Sequence, residues 1–186
     1  MHSVILSLEN IFQSALTFTP NGYFEHLHDP EWKSPCEIGN PDQAGNIYWK
    51  PLRRDHCQDF SGLESALGVS LHEDIKTYFG SYYSDPVYAQ SKEGPLCLLQ
   101  IWNERDYGRL VENLVGHYLM KKSRKDPLTV FFATAEDGSE LFLSIDNSDG
   151  RILLEDPGRG PIREVESDLT TFLNRLEPVN HAAQLK

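Results

Sequence analysis

The sequence has no apolar run approaching the roughly 20 residues that a membrane-spanning helix requires, and its mean hydropathy is -0.46. The longest apolar stretches, around Leu96–Trp102 and Thr129–Ala133, are the size of strands. The first residues, Met1-His2-Ser3-Val4, carry no Lys or Arg, and Glu9 and Asn10 interrupt the apolar positions that follow. That pattern does not read as a signal peptide and predicts a cytosolic protein. Cysteine is scarce as well. Cys36, Cys57 and Cys97 are an odd number, widely spaced and without a CxxC, which excludes a disulfide framework and predicts reduced thiols. Positive charge is the third shortage: 17 basic residues against 28 acidic ones give a net charge of -11. Nucleic-acid binding draws its affinity largely from Lys and Arg on phosphates, so that class is disfavoured. Direct attraction to anionic lipid is disfavoured for the same reason. A positively charged partner fits.

What is present is a core. In 186 residues, 39% are hydrophobic and 11% aromatic, enough for one folded domain. Val4, Leu8, Ile11, Phe12 and Ala15 recur at helical spacing behind a candidate N-cap, Ser3, and Pro20-Asn21-Gly22 closes the segment. A short helical piece is expected over Tyr23–Leu27. Residues 29–46, with three prolines and two glycines, read as a long loop. Asn46–Lys50 reads as a strand ended by Pro51.

Ser61-x-x-Glu64 and Ser70-x-x-Glu73 fit the capping box and predict two short helices. The second would carry Leu71, Ile75, Tyr78 and Phe79 on one face and close at Gly80. Pro86–Gln90 is a strand candidate. Leu96–Trp102, apolar on both faces, predicts a central strand. Asn103 caps the longest helix, with Tyr107, Leu110, Val111, Leu114, Val115 and Tyr118 as its core stripe. Lys121, Lys122, Arg124 and Lys125 gather at its end, where cations suit the helix dipole.

Thr129–Thr134, Glu140–Ile145 and Arg151–Glu155, separated by Asp137-Gly138 and Asn147-Ser148-Asp149-Gly150, read as an antiparallel meander. Gly158–Pro161 reads as a loop. Ser167 is expected to cap a last helix bearing Leu169, Phe172, Leu173 and Leu176, and Asn180–Lys186 reads as a frayed tail. Together these predict a mixed α/β chain of the α+β class, a mostly antiparallel sheet with helices packed on it.

Catalytic and metal patterns are missing. His72-Glu73 lacks the second His of a zinc-protease helix, because position 76 is Lys; Glu73 reads as a capping residue. His26 and His28, two apart, would point to different faces of a helix. Gly158-x-Gly160 is followed by Arg163 where a dinucleotide loop needs glycine. A folded Cys97–His117 pair is the one arrangement that would reopen catalysis, yet Cys97 sits in an apolar strand as a small hydrophobe does. No catalytic residue, cofactor or metal is expected, and the chain is not read as an enzyme.

The acidic residues are unevenly spread. Many fall in 136–168, including Asp146, Asp149 and Glu155; others are Glu64, Glu73 and Asp74 on the short helices, and Glu104 and Asp106 on the long one. Singly each reads as a solvated position. As a set, with Tyr48 and Trp49 as aromatic contacts, they are the candidate partner-binding residues.

Several segments together resemble a known family. Leu98-Leu99-Gln100-Ile101-Trp102-Asn103, Glu112-Asn113-Leu114-Val115-Gly116-His117 and Phe131-Phe132-Ala133-Thr134 are similar to the Syd family, the bacterial SecY-interacting proteins. So are Ser34-Pro35-Cys36, Tyr48-Trp49-Lys50-Pro51 and the run Phe172–Pro178. The resemblance spans about residues 34–178. It implies a single SUKH-like domain over 1–186 and a protein peripheral to the cytoplasmic side of the inner membrane. It further implies an acidic concave groove for SecY's cytoplasmic loops, sequestering uncomplexed SecY or restraining translocase assembly. A monomer, without cofactor and reaching the membrane only through its protein partner, is expected. The wider SUKH superfamily offers an alternative, an immunity protein neutralising a basic toxin.

Overall fold

The computed structural model describes residues 2–180, so the expected tail beyond Asn180 lies outside the described residues. Among these residues, five helices and twelve strands follow in chain order. They are α1 (Ser3–Leu16), β1 (Phe24–Leu27), β2 (Glu37–Ile38), β3 (Asn46–Trp49), β4 (Leu52–Arg53), α2 (Ser61–Leu67) and α3 (Glu73–Gly80). Next come β5 (Tyr82–Tyr83), β6 (Val87–Ser91), β7 (Gly94–Leu98), α4 (Glu104–Arg124), β8 (Thr129–Ala135) and β9 (Phe142–Asp146). The last are β10 (Ile152–Asp156), β11 (Gly160–Glu166), α5 (Leu169–Asn174) and β12 (Glu177–Pro178). A seven-stranded sheet runs β11-β10-β9-β8-β7-β6-β12, with every pairing antiparallel. The fold is α+β, as the alternation of elements predicts.

The main core lies where the sheet meets the helices. The α1 stripe Val4, Leu8, Ile11, Phe12 and Ala15 is buried there, with Ile75, Tyr78 and Phe79 of α3 and Leu169, Phe172 and Leu173 of α5. Tyr78 and Phe132 meet edge to face at 5.5 Å, and Phe132 does the same with Phe172 at 5.6 Å. The second cluster is small and aromatic: Trp49, Trp102 and Cys36, with Phe24 and Trp32 packed on it. It joins the three-stranded sheet β1-β3-β2 to the start of α4.

Several expectations are corrected. Tyr23–Leu27 is a strand rather than a helix, because Phe24, Glu25, His26 and Leu27 pair with Trp49, Tyr48, Ile47 and Asn46. The strand expected over Leu96–Trp102 ends at Leu98; beyond it the chain bends so that Trp102 reaches the second cluster. Of the expected loop Gly158–Pro161, only Gly158 and Arg159 stay a turn; Gly160 and Pro161 open β11, an edge strand, where a proline needs no ladder donor. Ser3 lies inside α1 with His2 as cap, and neither capping box forms. Asp59 instead accepts the Ser61 N–H at 2.8 Å, and Glu64 accepts the Leu71 N–H at 2.8 Å. His72 caps α3 through Nδ1 on the Asp74 N–H at 3.2 Å, and Asp168 replaces Ser167 as the cap of α5.

The cap by His72 depends on Gly150. That residue has φ +80°, and a Cβ there would stand 2.7 Å from His72 Cε1, so any other residue would be strained and would push the His72 ring from its cap.

Lys121 is the largest departure. Its spacing marks it as a surface cation at the end of α4, yet it is 2% exposed and its Nζ lies 2.5 Å from Glu155 Oε2. Glu155 Oε1 also accepts from the Ser144 hydroxyl. Burial alone would raise the Glu155 carboxyl, but hydrogen bonds from Lys121, Ser144 and Thr129 outweigh it and hold the group below its ordinary range.

Candidate functional site

A concavity opens between the end of α1, the strands β1 and β3, the start of β6 and the end of β12. Its volume is about 660 Å³. Phe18, Tyr23 and Tyr48 project into it and are 48%, 37% and 45% exposed, while Phe24, Trp49 and Val87 form its base. Tyr23 and Tyr48 stand with ring centroids 6.1 Å apart. Glu25 and Asp85 are the acidic lining residues, and no Lys or Arg is among them. Burial first, and the Cys97 thiol second, push the Tyr88 hydroxyl at the β6 wall up to about 12, so it stays protonated at neutral pH. The Lys50 ammonium lies 5.8 Å from the Tyr23 ring centre, so one aromatic face at the mouth already meets a cation.

Strand pairing builds this wall. Phe24 is opposite Trp49, and Trp49 opposite Glu37, so these side chains share the inner face of the small sheet. The strand also puts His26 and His28 on that one face, correcting the expectation drawn from a helix. His28 Nδ1 is 3.0 Å and His26 Nε2 3.5 Å from Glu37 Oε1, whose side chain is 3% exposed. His26 meets Trp102 edge-on at 5.0 Å. The His28–Glu37 hydrogen bond links the two outer strands across the middle one. Among the described residues, no group of three or more His, Cys, Asp or Glu is arranged to hold a metal ion.

Of the ten residues singled out by sequence, Tyr48 and Trp49 line the groove and the eight carboxylates do not. Tyr48 is open to solvent; Trp49, at 5% exposure, is core and not a free contact. Glu64 and Glu73 both reach Lys76, at 3.5 and 2.6 Å, and Asp74 lies 3.6 Å from His2. Glu104 pairs with Arg54 at 2.9 Å, and Asp106 accepts the Trp102 N–H at 2.9 Å. Asp149 pairs with Arg151 at 2.7 Å, and Asp146, nearly buried, accepts from Ser148. Glu155, at 1% exposure, has no surface to offer, which corrects its reading as a surface charge. The sequence reading missed Glu25 and Asp85; the alternation Tyr23-x-Glu25-x-Leu27, read as a strand, was the available signal.

Cys97 and His117 belong to different neighbourhoods. Burial pushes the Cys97 thiol up to about 11, and the hydroxyls of Tyr88 and Thr134 lie against it. His117 Nε2 is 3.3 Å from Thr129 Oγ1, and its ring meets Phe131 edge-on. Burial first, and the Lys121 charge second, hold His117 below its ordinary range. A group lowered in the fold titrates higher when unfolded, so its stabilising neutral form is lost as pH falls through the unfolded value toward the folded one. Urea midpoints should therefore fall between pH 7 and pH 5, and less steeply in His117→Gln. An unchanged slope in that variant would assign the acid sensitivity to other groups.

The chain matches the family model described as Syd protein (SUKH-2) over residues 4–178. It is 39% identical over 153 residues to Protein Syd of Pseudoalteromonas atlantica, covering 81% of this chain and 82% of that protein. It is 38% identical over 170 residues to Protein Syd of Colwellia psychrerythraea, covering 84% of each. It is 39% identical over 173 residues to Protein Syd of Shewanella putrefaciens, covering 92% of this chain and 79% of that protein.

Proposed function

Because this chain belongs to the Syd (SUKH-2) family, we propose that its groove binds basic cytoplasmic loops of the SecY channel, sequestering SecY that lacks its partner subunits. The observation that carries the reading is the groove's lining: Glu25 and Asp85, no Lys or Arg, and three exposed aromatic rings. Cytoplasmic loops of membrane proteins are enriched in Lys and Arg. A chain of net charge -11 would be steered to them at a salt-dependent rate. Aromatic faces then hold cations that have shed part of their water. No helix among the described residues is long and apolar enough to cross a membrane. Under this reading the chain acts by binding and not by catalysis, and reaches the membrane through SecY.

The exposed members of the sequence-derived set, Glu73, Glu104 and Asp149, would add long-range field; each already has a cation beside it. The discriminating experiment is capture of detergent-solubilised SecY, with and without its partner subunits, at low and high salt. Capture is expected to be strongest for SecY alone at low salt. It should weaken several-fold at high salt and in Glu25→Lys, whose side chain is exposed and whose fold should persist. Capture indifferent to both salt and Glu25→Lys would remove the groove from the reading. Failure to capture SecY in any condition would turn the search to basic toxins.

A further inference from the structure

The three-stranded sheet has one face covered and one bare. Its inner face, with Phe24, Trp49 and Glu37, packs on the Trp102 cluster. The outer face is set by the same register. Tyr48 is opposite Glu25 on one side and Ile38 on the other, and Leu27 follows Glu25 at the next outward position. An antiparallel sheet covered on one side normally turns polar residues to water. Here Leu27 is 71% exposed, Tyr48 45% and Ile38 37%, with Ile38 directly opposite Tyr48 and Leu27 diagonal to it across the β1–β3 pair. Contiguous exposed apolar area of this kind marks contact surfaces more often than a scatter of single residues does.

This face is continuous with the groove. Tyr48 and Glu25 belong to both, and Tyr23 leads from one to the other. The shared border carries the Glu25 carboxylate and the Lys50 ammonium facing Tyr23, and with Asp85 deeper in the groove the balance of these three is negative. An occupant of both surfaces must therefore carry cations on one side and apolar side chains on the other.

We propose that the outer face of the three-stranded sheet extends the partner's footprint, receiving the apolar side chains of an amphipathic basic segment whose Lys or Arg residues enter the groove. The inference rests on the groove reading, and it divides the binding energy. The carboxylates supply the part that salt screens; Leu27, Ile38 and Tyr48 supply a part that salt leaves in place.

Leu27→Asp/Ile38→Asp tests it. Both positions are exposed, so the fold should persist, as circular dichroism and an unchanged urea midpoint would show. The new carboxylates add attraction for a basic partner, so any loss of capture must come from the apolar contact. Capture of detergent-solubilised SecY lacking its partner subunits should fall about tenfold or more at both low and high salt. Leu27→Ile/Ile38→Leu should retain capture. Wild-type capture matched by the double Asp variant would overturn this inference while the groove reading stands. Absence of wild-type capture would overturn both. Concentration-dependent self-association of the isolated chain in sedimentation equilibrium, abolished by the double Asp variant, would assign the face to a second copy instead.

Discussion

Lys121→Met should lower the unfolding free energy by about 3–5 kcal/mol, because it leaves the Glu155 carboxylate buried without its cation. The geometry makes this the most sensitive polar position of the fold. Lys121 reaches from α4 to β10, both side chains are 2% exposed or less, and Ser144 of β9 and Thr129 of β8 also hydrogen-bond the carboxylate. Removing Glu155 with it relieves the unpaired charge. Lys121→Met/Glu155→Leu should therefore recover most of the lost stability, since apolar groups of similar size often replace a buried pair at little cost. Urea unfolding of the wild type, Lys121→Met and the double variant makes the test. Additive losses, with the double variant worse than the single, would mean that the pair does not act as a unit. A loss under 1 kcal/mol in Lys121→Met would mean that water reaches Glu155.

Trp102→Ala should lower stability by a similar amount, about 3–5 kcal/mol, from the cavity left by a large buried ring. Its effect should also be local. The Trp102 indole N–H donates to the Trp32 carbonyl at 2.9 Å, and its ring meets Trp49 at 5.3 Å and His26 at 5.0 Å. The Ser34 hydroxyl donates to its carbonyl at 2.5 Å. These contacts hold the β1-β3-β2 sheet against α4. Hydrogen exchange should show the amides of β1 and β3 losing protection well before those of β8 and β9. Capture of SecY should fall with them, because Tyr48 and Glu25 stand on the loosened strands. Uniform loss of protection across both sheets would show that the small sheet unfolds only with the rest. Trp102→Phe, which keeps most of the ring contact and removes the N–H, should lose about 1 kcal/mol and serves if the alanine variant fails to fold.

Where the pattern was strong, the sequence was readable. The α4 helix begins at Asn103 because that side chain accepts the Asp106 N–H, the spacing a cap requires. The β8–β10 meander follows apolar runs separated by turns that only Gly, Asn and Asp tolerate well. Where two explanations share one pattern, the reading failed. Tyr23–Leu27 is too short for its period to separate helix from strand, and its pairing with β3 decides the matter. The strand β11 is polar over most of its length because it is an edge, so it lacks the signal that marks an interior strand. The helix caps failed for a related reason. Ser, Asp and His within two residues of a helix start can all accept the same N–H, and the choice rests on which backbone enters extended.

Composition and periodicity by themselves determined the α+β class, the net negative charge and the core stripes of α1, α4 and α5, and particular segments such as Leu98–Asn103 and Phe131–Thr134 carried the family resemblance. Each is a property of neighbouring residues or of totals. Tertiary structure alone decided which charges are surface and which are core, and which carboxylates share a groove. Lys121 and Glu155 are 34 positions apart and meet only because β10 lies beneath α4. Glu25 and Asp85 line one concavity because β1 of the small sheet lies beside the start of β6 of the large one. The physical reason is the same in both cases. A carboxylate's role depends on the dielectric and partners around it, and those are set by residues distant in the chain.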